Sequence, residues 1–440
     1  MSKLVRGVTS FEPHCPLSDI ELVKLFSAFS TMRRLALGVS GGGDSLCLMW
    51  ALHRWTQLVE NAPKLFVFTV DHGLRAEAVK EAEGVAALCA DWDLYHETLH
   101  WIGKKSPSNL QAQARAARFQ LLLSRAHELN CDALALAHHL DDQAETFLTR
   151  LSRGSGVYGL AAIRSRRLDT IIPVERPLLT TPKSRLIASL REHGIEWFDD
   201  PSNENEAFTR IKARKLLPEL TKVGLTAERI AETARSMERA ANALDEWVER
   251  AFKSQGKVHP LGVVRLNLCV FEDLPCEVVL RLLARSIRFV SGAEYTARLS
   301  SLEGSYQSIL EGRKSTTVSD TVLFQHGSSL YLFREFGRKG IAPIELNGSE
   351  TGIWDNRFEY KTKNDAEGAV LRPLGEGGFK HFSFEPPENW PKAVFLTAPL
   401  IVFPDGGSYM PTMRKTEPAD EEGGNHHETA VQLRLLRDKL

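Results

Sequence analysis

The sequence predicts an α/β protein: a doubly wound, mostly parallel sheet, followed by a mainly helical domain and a small β-containing C-terminal domain. Three observations predict this fold class. Short apolar runs alternate with helical stretches between residues 34 and 180. The runs are apolar on both faces, which is typical of strands in a parallel sheet covered by helices. A glycine-rich hexapeptide follows the first run, at the place where open parallel sheets bind their ligands.

Each element follows from a local pattern. Ser18 and Glu21 have the spacing of a capping box, which predicts a short helix before the first strand. The predicted strands are "RLALGVS", "KLFVFTVDHGL", "DLYHETLHW", "CDALALAHH" and "TIIPVERPLL", separated by helical stretches such as "NLQAQARAARFQLLLSRAHEL". Later, "TAERIAETARSMERAANALDEWVERAF" and "CEVVLRLLARSIRFVSG" predict amphipathic helices, and "TVLFQHGSSLYLFRE" predicts a hairpin. Short β-like runs follow from about residue 340.

These patterns divide the chain into four segments. An N-terminal leader with a short helix (1–30) precedes the α/β domain (31–220). A mainly helical domain (221–336) follows, and a small C-terminal domain (340–440) ends in an acidic tail that we expect to be disordered or loosely held.

The composition excludes several classes of protein. The net charge is −1, so any surface for nucleic acid must be local. The six cysteines form no C-x-x-C pair, which argues against a zinc or iron–sulfur site and for reduced thiols. The N-terminus lacks the apolar core of a signal peptide, and no run of about 18 apolar residues appears, so we expect a cytoplasmic protein with no membrane partner.

The hexapeptide "SGGGDS" predicts a phosphate site, formed by Ser40, Gly41, Gly42, Gly43, Asp44 and Ser45. Its glycines let backbone N–H groups face one concavity, and the following helix adds positive charge at its N-terminus. The loop has no lysine and matches neither the Walker nor the dinucleotide pattern. A carboxylate is repelled by phosphates unless Mg²⁺ bridges them, so Asp44 is the predicted metal ligand. The alternative is a tight turn in which Asp44 and Ser45 cap the helix.

A second motif, "AHHLDDQAET", follows the fourth predicted strand. His138, Asp142 and Glu145 are four and three residues apart, which on a helix places them in one stripe. Two carboxylates form a site for an ammonium group, and a nearby histidine could take the proton that an amine loses before attack. Asp141 is assigned to capping of the helix start.

A third feature is the basic segment from Arg150 to Arg191, which has nine basic residues against two acidic ones. In a chain of net charge −1 this asymmetry predicts contacts with phosphates of a nucleic acid. The alternative is a solvated charged face.

Together these motifs resemble the tRNA(Ile)-lysidine synthetases, within the PP-loop ATP pyrophosphatase superfamily. "SGGGDS" is similar to the superfamily's S-G-G-x-D-S loop, and "HHLDDQAET" to the synthetases' H-H-x-D-D-Q-x-E-T motif. "VDHGLR", "QAQARAARF", "RLSRGSGVYGLAAI", "RPLL" and "DDPSNENEAFTR" resemble further signatures of that family, in the same order. The chain departs from the family at "TRIKAR", where Ile211 cannot donate an amide hydrogen bond, and "VLRPLGEGGFKHF" is only faintly like the family's C-terminal module.

The resemblance implies a PP-loop nucleotide-binding catalytic domain in residues 31–220 and a tRNA-contacting domain in 221–336. It implies that ATP, with Mg²⁺, adenylates O2 of the wobble cytidine in isoleucine tRNA with a CAU anticodon, releasing pyrophosphate. The ε-amine of free L-lysine then displaces AMP at C2, which gives lysidine and switches decoding from AUG to AUA. The oligomeric state is left open, with a homodimer as one candidate.

The resemblance also implies roles for individual residues. Ser40 to Ser45 and Asp71 would bind the nucleotide, and Asp142 with Glu145 would hold lysine. His138 would assist deprotonation or orient the activated base. Arg118, like Arg115, would neutralise charge on the nucleotide or reach tRNA. The implied contacts with tRNA are Arg115, Arg153, Arg176, Arg210 and Arg214.

Three other functions compete with this interpretation. A tRNA thiolase of the same superfamily would need reactive or cluster-binding cysteines, but Cys47 and Cys131 lie in apolar contexts. An amidotransferase-type ligase that makes NAD or GMP would share the loop but not "HHLDDQAET". A tRNA-binding protein that has lost catalysis would not need Asp44, Asp142 and Glu145.

Overall fold

The computed structural model describes residues 15–73, 77–102, 110–168, 170–198, 209–293, 296–337, 340–381, 386, 390–410 and 430–436. The chain forms two compact units, Met1–Ala241 and Asn242–Leu440. The four predicted segments and their boundaries stay a prediction, and the predicted acidic tail lies outside the described residues. No helix in the described part of the chain is long and apolar enough to cross a membrane.

The first unit contains a six-stranded sheet with the order β3-β2-β1-β4-β6-β5. All neighbouring strands are parallel except the β5–β6 pair, so the predicted mostly parallel sheet is confirmed. All five predicted strand runs contain a strand. The elements are α1 (Asp19–Leu25), β1 (Arg34–Gly38), α2 (Gly43–Thr56), β2 (Lys64–Asp71), α3 (Glu77–Asp91), β3 (Tyr95–His100), α4 (Leu110–Glu128), β4 (Ala133–Ala135), α5 (Leu140–Leu151), α6 (Val157–Leu160), β5 (Arg166–Arg167), β6 (Val174–Glu175), α7 (Lys183–Glu192), α8 (Thr209–Lys222) and α9 (Ala227–Gln255), which extends into the second unit.

Helices cover both faces of this sheet, and the side chains on each face of its strands belong to a separate buried core. Side chains alternate along β1, so Leu35 and Leu37 point to one face and Ala36 points to the other. Leu37 belongs to the core beneath α2 and α7, where Leu186 is fully buried. Ala36 belongs to a second core against α4, which includes Leu122. The doubly wound arrangement is therefore confirmed.

The strand order brings the two predicted motifs together. β1 and β4 are neighbours, with Leu37 opposite Ala135, and both run in the same direction. The glycine-rich loop follows β1 and the histidine-rich motif follows β4, so both lie at the carboxyl edge of the sheet. The strand order reverses at this point, and such a crevice is where open α/β sheets bind ligands.

The second unit is built on antiparallel sheets. Its first sheet has the order β7-β8-β11-β10-β9, and α11 buries Val279, Leu283 and Ile287. Both predicted helices and the predicted β10–β11 hairpin are confirmed, but the other three strands of this sheet were not predicted. Two smaller sheets have the orders β12-β15-β16-β17 and β13-β14-β18.

The elements of this unit are β7 (Gly256–His259), β8 (Val263–Asn267), α10 (Val270–Asp273), α11 (Cys276–Ser291), α12 (Leu299–Leu310), β9 (Ser315–Val318), β10 (Thr321–His326), β11 (Ser329–Arg334), β12 (Ile344–Glu345), β13 (Thr351–Trp354), β14 (Phe358–Thr362), β15 (Val370–Pro373), α13 (Gly375–His381), β16 (Pro399–Val402), β17 (Ser408–Tyr409) and β18 (Val431–Leu435).

A buried ion pair attaches the predicted first helix to the α/β unit. Nη1 and Nη2 of Arg185, in α7, donate to the two carboxylate oxygens of Glu21, in α1, at 2.8 and 2.9 Å. The guanidinium also donates to the carbonyl oxygens of Cys15 and Pro16. The hydrogen bond from Arg185 lowers the pKa of Glu21 from 4.5 to about 2.

Because of this ion pair, the free energy of unfolding depends on pH in the acid range. The folded pKa of Glu21 lies below its unfolded value, so the stabilisation is complete above about pH 4.5 and is lost as the pH falls toward about 2. The wild type should therefore lose about 2 kcal/mol more unfolding free energy over that range than Glu21→Gln, as measured by urea denaturation at several pH values. Glu60→Gln, in the exposed turn after α2, should retain the wild-type slope. Parallel slopes for the wild type and Glu21→Gln would contradict this assignment.

Candidate active site

The glycine-rich loop has one position that requires glycine for its backbone. Gly41 has φ of +83°, a left-handed conformation, and a Cβ there would lie 3.3 Å from Cδ2 of Phe198. Ser45 fixes the rest of the loop, because its hydroxyl accepts a hydrogen bond from the Ser40 N–H at 3.1 Å and donates to the Gly42 carbonyl at 2.9 Å. The N-cap of α2 is Gly42, so Asp44 does not cap the helix as the alternative interpretation requires.

Asp44 lies in the first turn of α2, with an exposed side-chain fraction of 31%. Its Oδ2 accepts a hydrogen bond from Nζ of Lys183 at 3.0 Å and lies 3.5 Å from Nε2 of His139. Burial alone would raise the pKa of Asp44, but His139 and Lys183 bring it below its ordinary value. Among the described residues, none forms a hydrogen bond with the buried Oδ1 of Asp44. Asp44 therefore carries one carboxylate oxygen that no donor in the described part of the chain satisfies.

The helix of the second motif begins at Leu140, two residues later than the predicted stripe requires. His139 is the N-cap of α5, and its N–H donates to Oδ2 of Asp142 at 3.1 Å. Asp142 and Glu145 lie in the helix, but His138 precedes the N-cap. The predicted helical stripe is therefore wrong for His138, because the helix begins only after the N-cap His139. The role of His138 in the reaction stays a prediction.

His139 is the histidine that joins the two motifs, and sequence reasoning missed it. Its Nε2 lies 3.5 Å from Oδ2 of Asp44 and 3.4 Å from Oδ2 of Asp142, and the residue is only 2% exposed. Burial alone would lower the pKa of His139, but Asp141, Asp44 and Asp142 raise it to about 10. At neutral pH it is therefore a buried cation among three carboxylates.

Asp141 connects α5 to α7. The sequence predicted only that it caps the start of its own helix. Its Oδ2 accepts a hydrogen bond from the backbone N–H of Lys183 at 2.9 Å and lies 3.5 Å from Nδ1 of His139. The start of α7 is thus held at the same edge of the sheet as the loop and the start of α5.

Glu145 and Arg214 form an ion pair at the side of this cluster. Glu145 is 2% exposed, and its Oε1 accepts a hydrogen bond from Nε of Arg214, in α8, at 2.6 Å. The structure thereby brings together a predicted lysine ligand and a predicted tRNA contact.

The other predicted residues occupy the same unit at varied exposure. Asp71 ends β2 at the carboxyl edge, and its Oδ1 accepts a hydrogen bond from the Gly73 N–H at 2.8 Å. Arg115, Arg118 and Arg153 are exposed. The side chains of Arg210 and Ile211 lie outside the described residues.

Arg176 is part of a cluster of positive charge. Its Nη1 donates to the Arg164 carbonyl at 2.9 Å. Burial lowers the pKa of Arg176 to about 10. Nearby Arg167 and Arg115 act on this pKa in the same direction, and the carboxylates of Glu175 and Glu238 oppose them. Mutual repulsion among these guanidinium groups favours an anionic partner.

Cys47 and Cys131 do not favour sulfur chemistry. Cys47 and Cys131 are buried, and burial raises the pKa of both thiols, that of Cys131 to about 11. A thiol with a raised pKa is a poor nucleophile at neutral pH.

A cavity of about 1100 Å³ lies elsewhere in the first unit, between α1, α2, α3 and α7. Trp50, His53, Trp92 and His193 contribute to its walls. Neither Asp44 nor His139 lines it, so the candidate active site is the open carboxyl edge of the sheet.

Comparison with known proteins gives the family of this chain. The PP-loop domain family matches residues 17–220. A tRNA(Ile)-lysidine synthase of Ruegeria pomeroyi is 38% identical over 369 residues, which cover 84% of this chain and 86% of that protein. The chain belongs to the tRNA(Ile)-lysidine synthase family. The member from Rhodopseudomonas palustris is 42% identical over 280 residues, which cover 62% of this chain and 80% of that protein.

A solved structure outside the tRNA(Ile)-lysidine synthase family is more distant. The U34-tRNA thiolase NcsA from Methanococcus maripaludis, with its [4Fe-4S] cluster, is 19% identical with a TM-score of 0.44. The match covers 50% of this chain and 77% of that protein. A likeness at that TM-score carries no argument about activity.

The family's glycine-rich loop allows a direct test of the backbone argument. Gly41→Ser should lower the unfolding free energy by about 1 to 2 kcal/mol, because the left-handed conformation strains a side chain and Phe198 crowds it. Gly42→Ser is the matched control, since its Cβ would lie at an ordinary 3.7 Å from Oγ of Ser40 and serine is a good N-cap. Urea denaturation measures both variants, and equal losses would contradict the argument.

Proposed function

We propose that this protein ligates free L-lysine to C2 of the wobble cytidine in isoleucine tRNA with a CAU anticodon, splitting ATP into AMP and pyrophosphate. Relatives that are 38% and 42% identical are tRNA(Ile)-lysidine synthases. The observation that carries the proposal is the position of His139 between two carboxylates. Its Nε2 lies 3.5 Å from Oδ2 of Asp44 and 3.4 Å from Oδ2 of Asp142. These contacts support a site in which ATP binds at the start of α2 beside an amine bound by α5, as a reaction between ATP and an amine requires.

In the adenylation step, the loop from Ser40 to Ser45, with Asp71, binds ATP at the N-terminus of α2. The cytosine O2 attacks the α-phosphorus, and the bond to the pyrophosphate oxygen breaks. The backbone N–H groups of the loop and the positive end of the helix stabilise the leaving anion.

Asp44 would hold the Mg²⁺ of Mg-ATP. Among the described residues, no group of three or more His, Cys, Asp and Glu side chains is placed to hold a metal ion. The buried Oδ1 of Asp44 fits one position, and Mg²⁺ normally completes its shell with phosphate oxygens and water. When bound, the ion neutralises charge on the departing pyrophosphate.

In the lysine step, Asp142 and Glu145 bind the ε-ammonium group, which must lose a proton before it attacks C2 and displaces AMP. Both carboxylates lie in the first two turns of α5, and Glu145 is buried, so its charge favours a cationic partner. We assign the proton transfer to His138, which lies just before the N-cap of the same helix.

The tRNA would be held by phosphate contacts from exposed and clustered arginines of the first unit, and by residues 221–336. The charge cluster around Arg176 supports this placement. The proposed contacts are Arg115, Arg118, Arg153, Arg176, Arg210 and Arg214.

The two half-reactions should respond to different carboxylates. With Mg-ATP, labelled lysine and an unmodified CAU-anticodon isoleucine tRNA transcript, Asp44→Asn should abolish AMP release because ATP binding fails. Asp142→Asn should leave part of the adenylation and block lysine incorporation. Release of AMP and incorporation of label, each measured over time, distinguish the steps.

Two controls make this assay decisive. Asp132→Asn, at the opposite edge of the sheet, should retain activity because an amide oxygen still accepts the hydrogen bonds from Arg33 and Arg34. An elongator methionine tRNA should accept no lysine. ATP-dependent sulfur transfer, or tRNA binding without AMP release by the wild type, would refute the proposed function.

Arg214 should compete with lysine for Glu145. Arg214→Ala leaves a buried carboxylate without its cation, so lysine should raise the melting temperature of this variant by more than that of the wild type. The KM for lysine should fall severalfold and the KM for tRNA should rise. An increased KM for lysine with no larger thermal shift would show that Arg214 orients Glu145 instead.

A further inference from the structure

The glycine-rich loop has no lysine of its own, but the fold places one beside it. Nζ of Lys183 lies 3.0 Å from Oδ2 of Asp44, although the two residues are 139 positions apart. Lys183 is the first residue of α7, and its side chain is 44% exposed. A half-exposed ion pair adds little to stability, so stability alone does not explain this contact.

Two features hold the backbone of Lys183 at the loop. Its N–H donates to Oδ2 of Asp141 at 2.9 Å, which fixes the start of α7 beside the start of α5. Gly43 lets α7 approach α2 closely, because a Cβ there would lie 2.8 Å from Cδ1 of Ile187. The backbone is therefore fixed, while a flexible four-carbon stem carries the ammonium group.

Among the described cations that contact Asp44, Lys183 has the freedom to move to a ligand. His139 is 2% exposed and lies among three carboxylates, so it stays within the cluster. Lys183 has solvent on one side and the N-terminus of α2 on the other.

We propose that Lys183 binds the departing pyrophosphate, supplying from α7 the cation that the loop sequence lacks. This inference rests on the proposed adenylation of tRNA. As the bond from cytosine O2 to the α-phosphorus forms, the bond to the bridging oxygen breaks and its electron pair remains on pyrophosphate. The ammonium of Lys183 moves from Asp44 to a pyrophosphate oxygen and neutralises this charge. It keeps all its protons and remains a cation throughout.

The test compares neutral and charged replacements of Lys183. Lys183→Met and Lys183→Gln remove the charge, and Lys183→Arg retains it. Lys64→Met is the matched control, because Lys64 is an exposed lysine at the amino end of β2, the opposite edge of the sheet. Calorimetric titration with Mg-pyrophosphate measures binding without tRNA, and single-turnover assays measure AMP formation and lysine transfer separately.

The neutral variants should bind Mg-pyrophosphate at least about tenfold more weakly and form the adenylate about a hundredfold more slowly. Their melting temperatures should be unchanged. Lysine transfer to tRNA that the wild type has already adenylated should also proceed at the wild-type rate. Lys183→Arg should recover part of the pyrophosphate binding and part of the adenylation rate. Pyrophosphate binding within twofold of the wild type in both neutral variants would overturn the inference. Equal loss of both half-reactions would also overturn it. Failure of the wild type to adenylate the tRNA would instead refute the proposed function. The titration with Mg-pyrophosphate distinguishes the two failures, because it measures binding by Lys183 variants without tRNA.

Discussion

The candidate active site depends on one buried cation, the imidazolium of His139, held between the carboxylates of two helix starts. Its Nε2 lies 3.5 Å from Asp44 and 3.4 Å from Asp142, where two negative charges would otherwise repel each other. β1 and β4 are adjacent parallel strands, so their carboxyl ends deliver both helix starts to this point. The fold can therefore place a phosphate-binding loop and an acidic pocket side by side.

The cluster gives opposite electrostatic characters to two neighbouring regions. The start of α2 offers backbone N–H groups and a helix N-terminus, which favour phosphates. The buried Glu145, with Asp142, favours a cation, and Arg214 occupies that position in this structure. Lys183, at the start of α7, contacts Asp44 through its ammonium group and Asp141 through its backbone N–H. An adenylation followed by attack of an amine requires a region that favours anions next to one that favours cations. The leaving group is an anion, and the incoming nucleophile arrives as a cation.

The sheet was predictable because parallel strands that are buried on both faces leave continuous apolar runs in the sequence. The strands β7, β8 and β9 were missed because they are only four or five residues long, and because the β7–β8 pair and the single strand β9 each follow a long helical segment. In the site, the predicted stripe placed His138 in the helix, and the contact of His139 with Asp44 was not predicted. Spacing of four and seven residues fits a helix that starts at His138, whereas α5 starts at Leu140, and helix boundaries are uncertain by one or two residues from local sequence alone. Arg214 was predicted as a contact with tRNA, but nothing in the local sequence indicated its pairing with Glu145.

By itself the sequence determined the local chemistry: a lysine-free glycine-rich loop with a carboxylate, and a histidine and acidic residues at the start of another helix. Such features are encoded in short stretches, because turn conformation, capping and apolar periodicity depend on neighbouring residues. Only the tertiary structure decided which groups meet. Lys183 reaches Asp44 across 139 positions because α7 packs closely against α2 at Gly43. Contacts between residues far apart in the sequence depend on how the helices pack on the sheet. The spacing of residues within one segment does not predict such contacts.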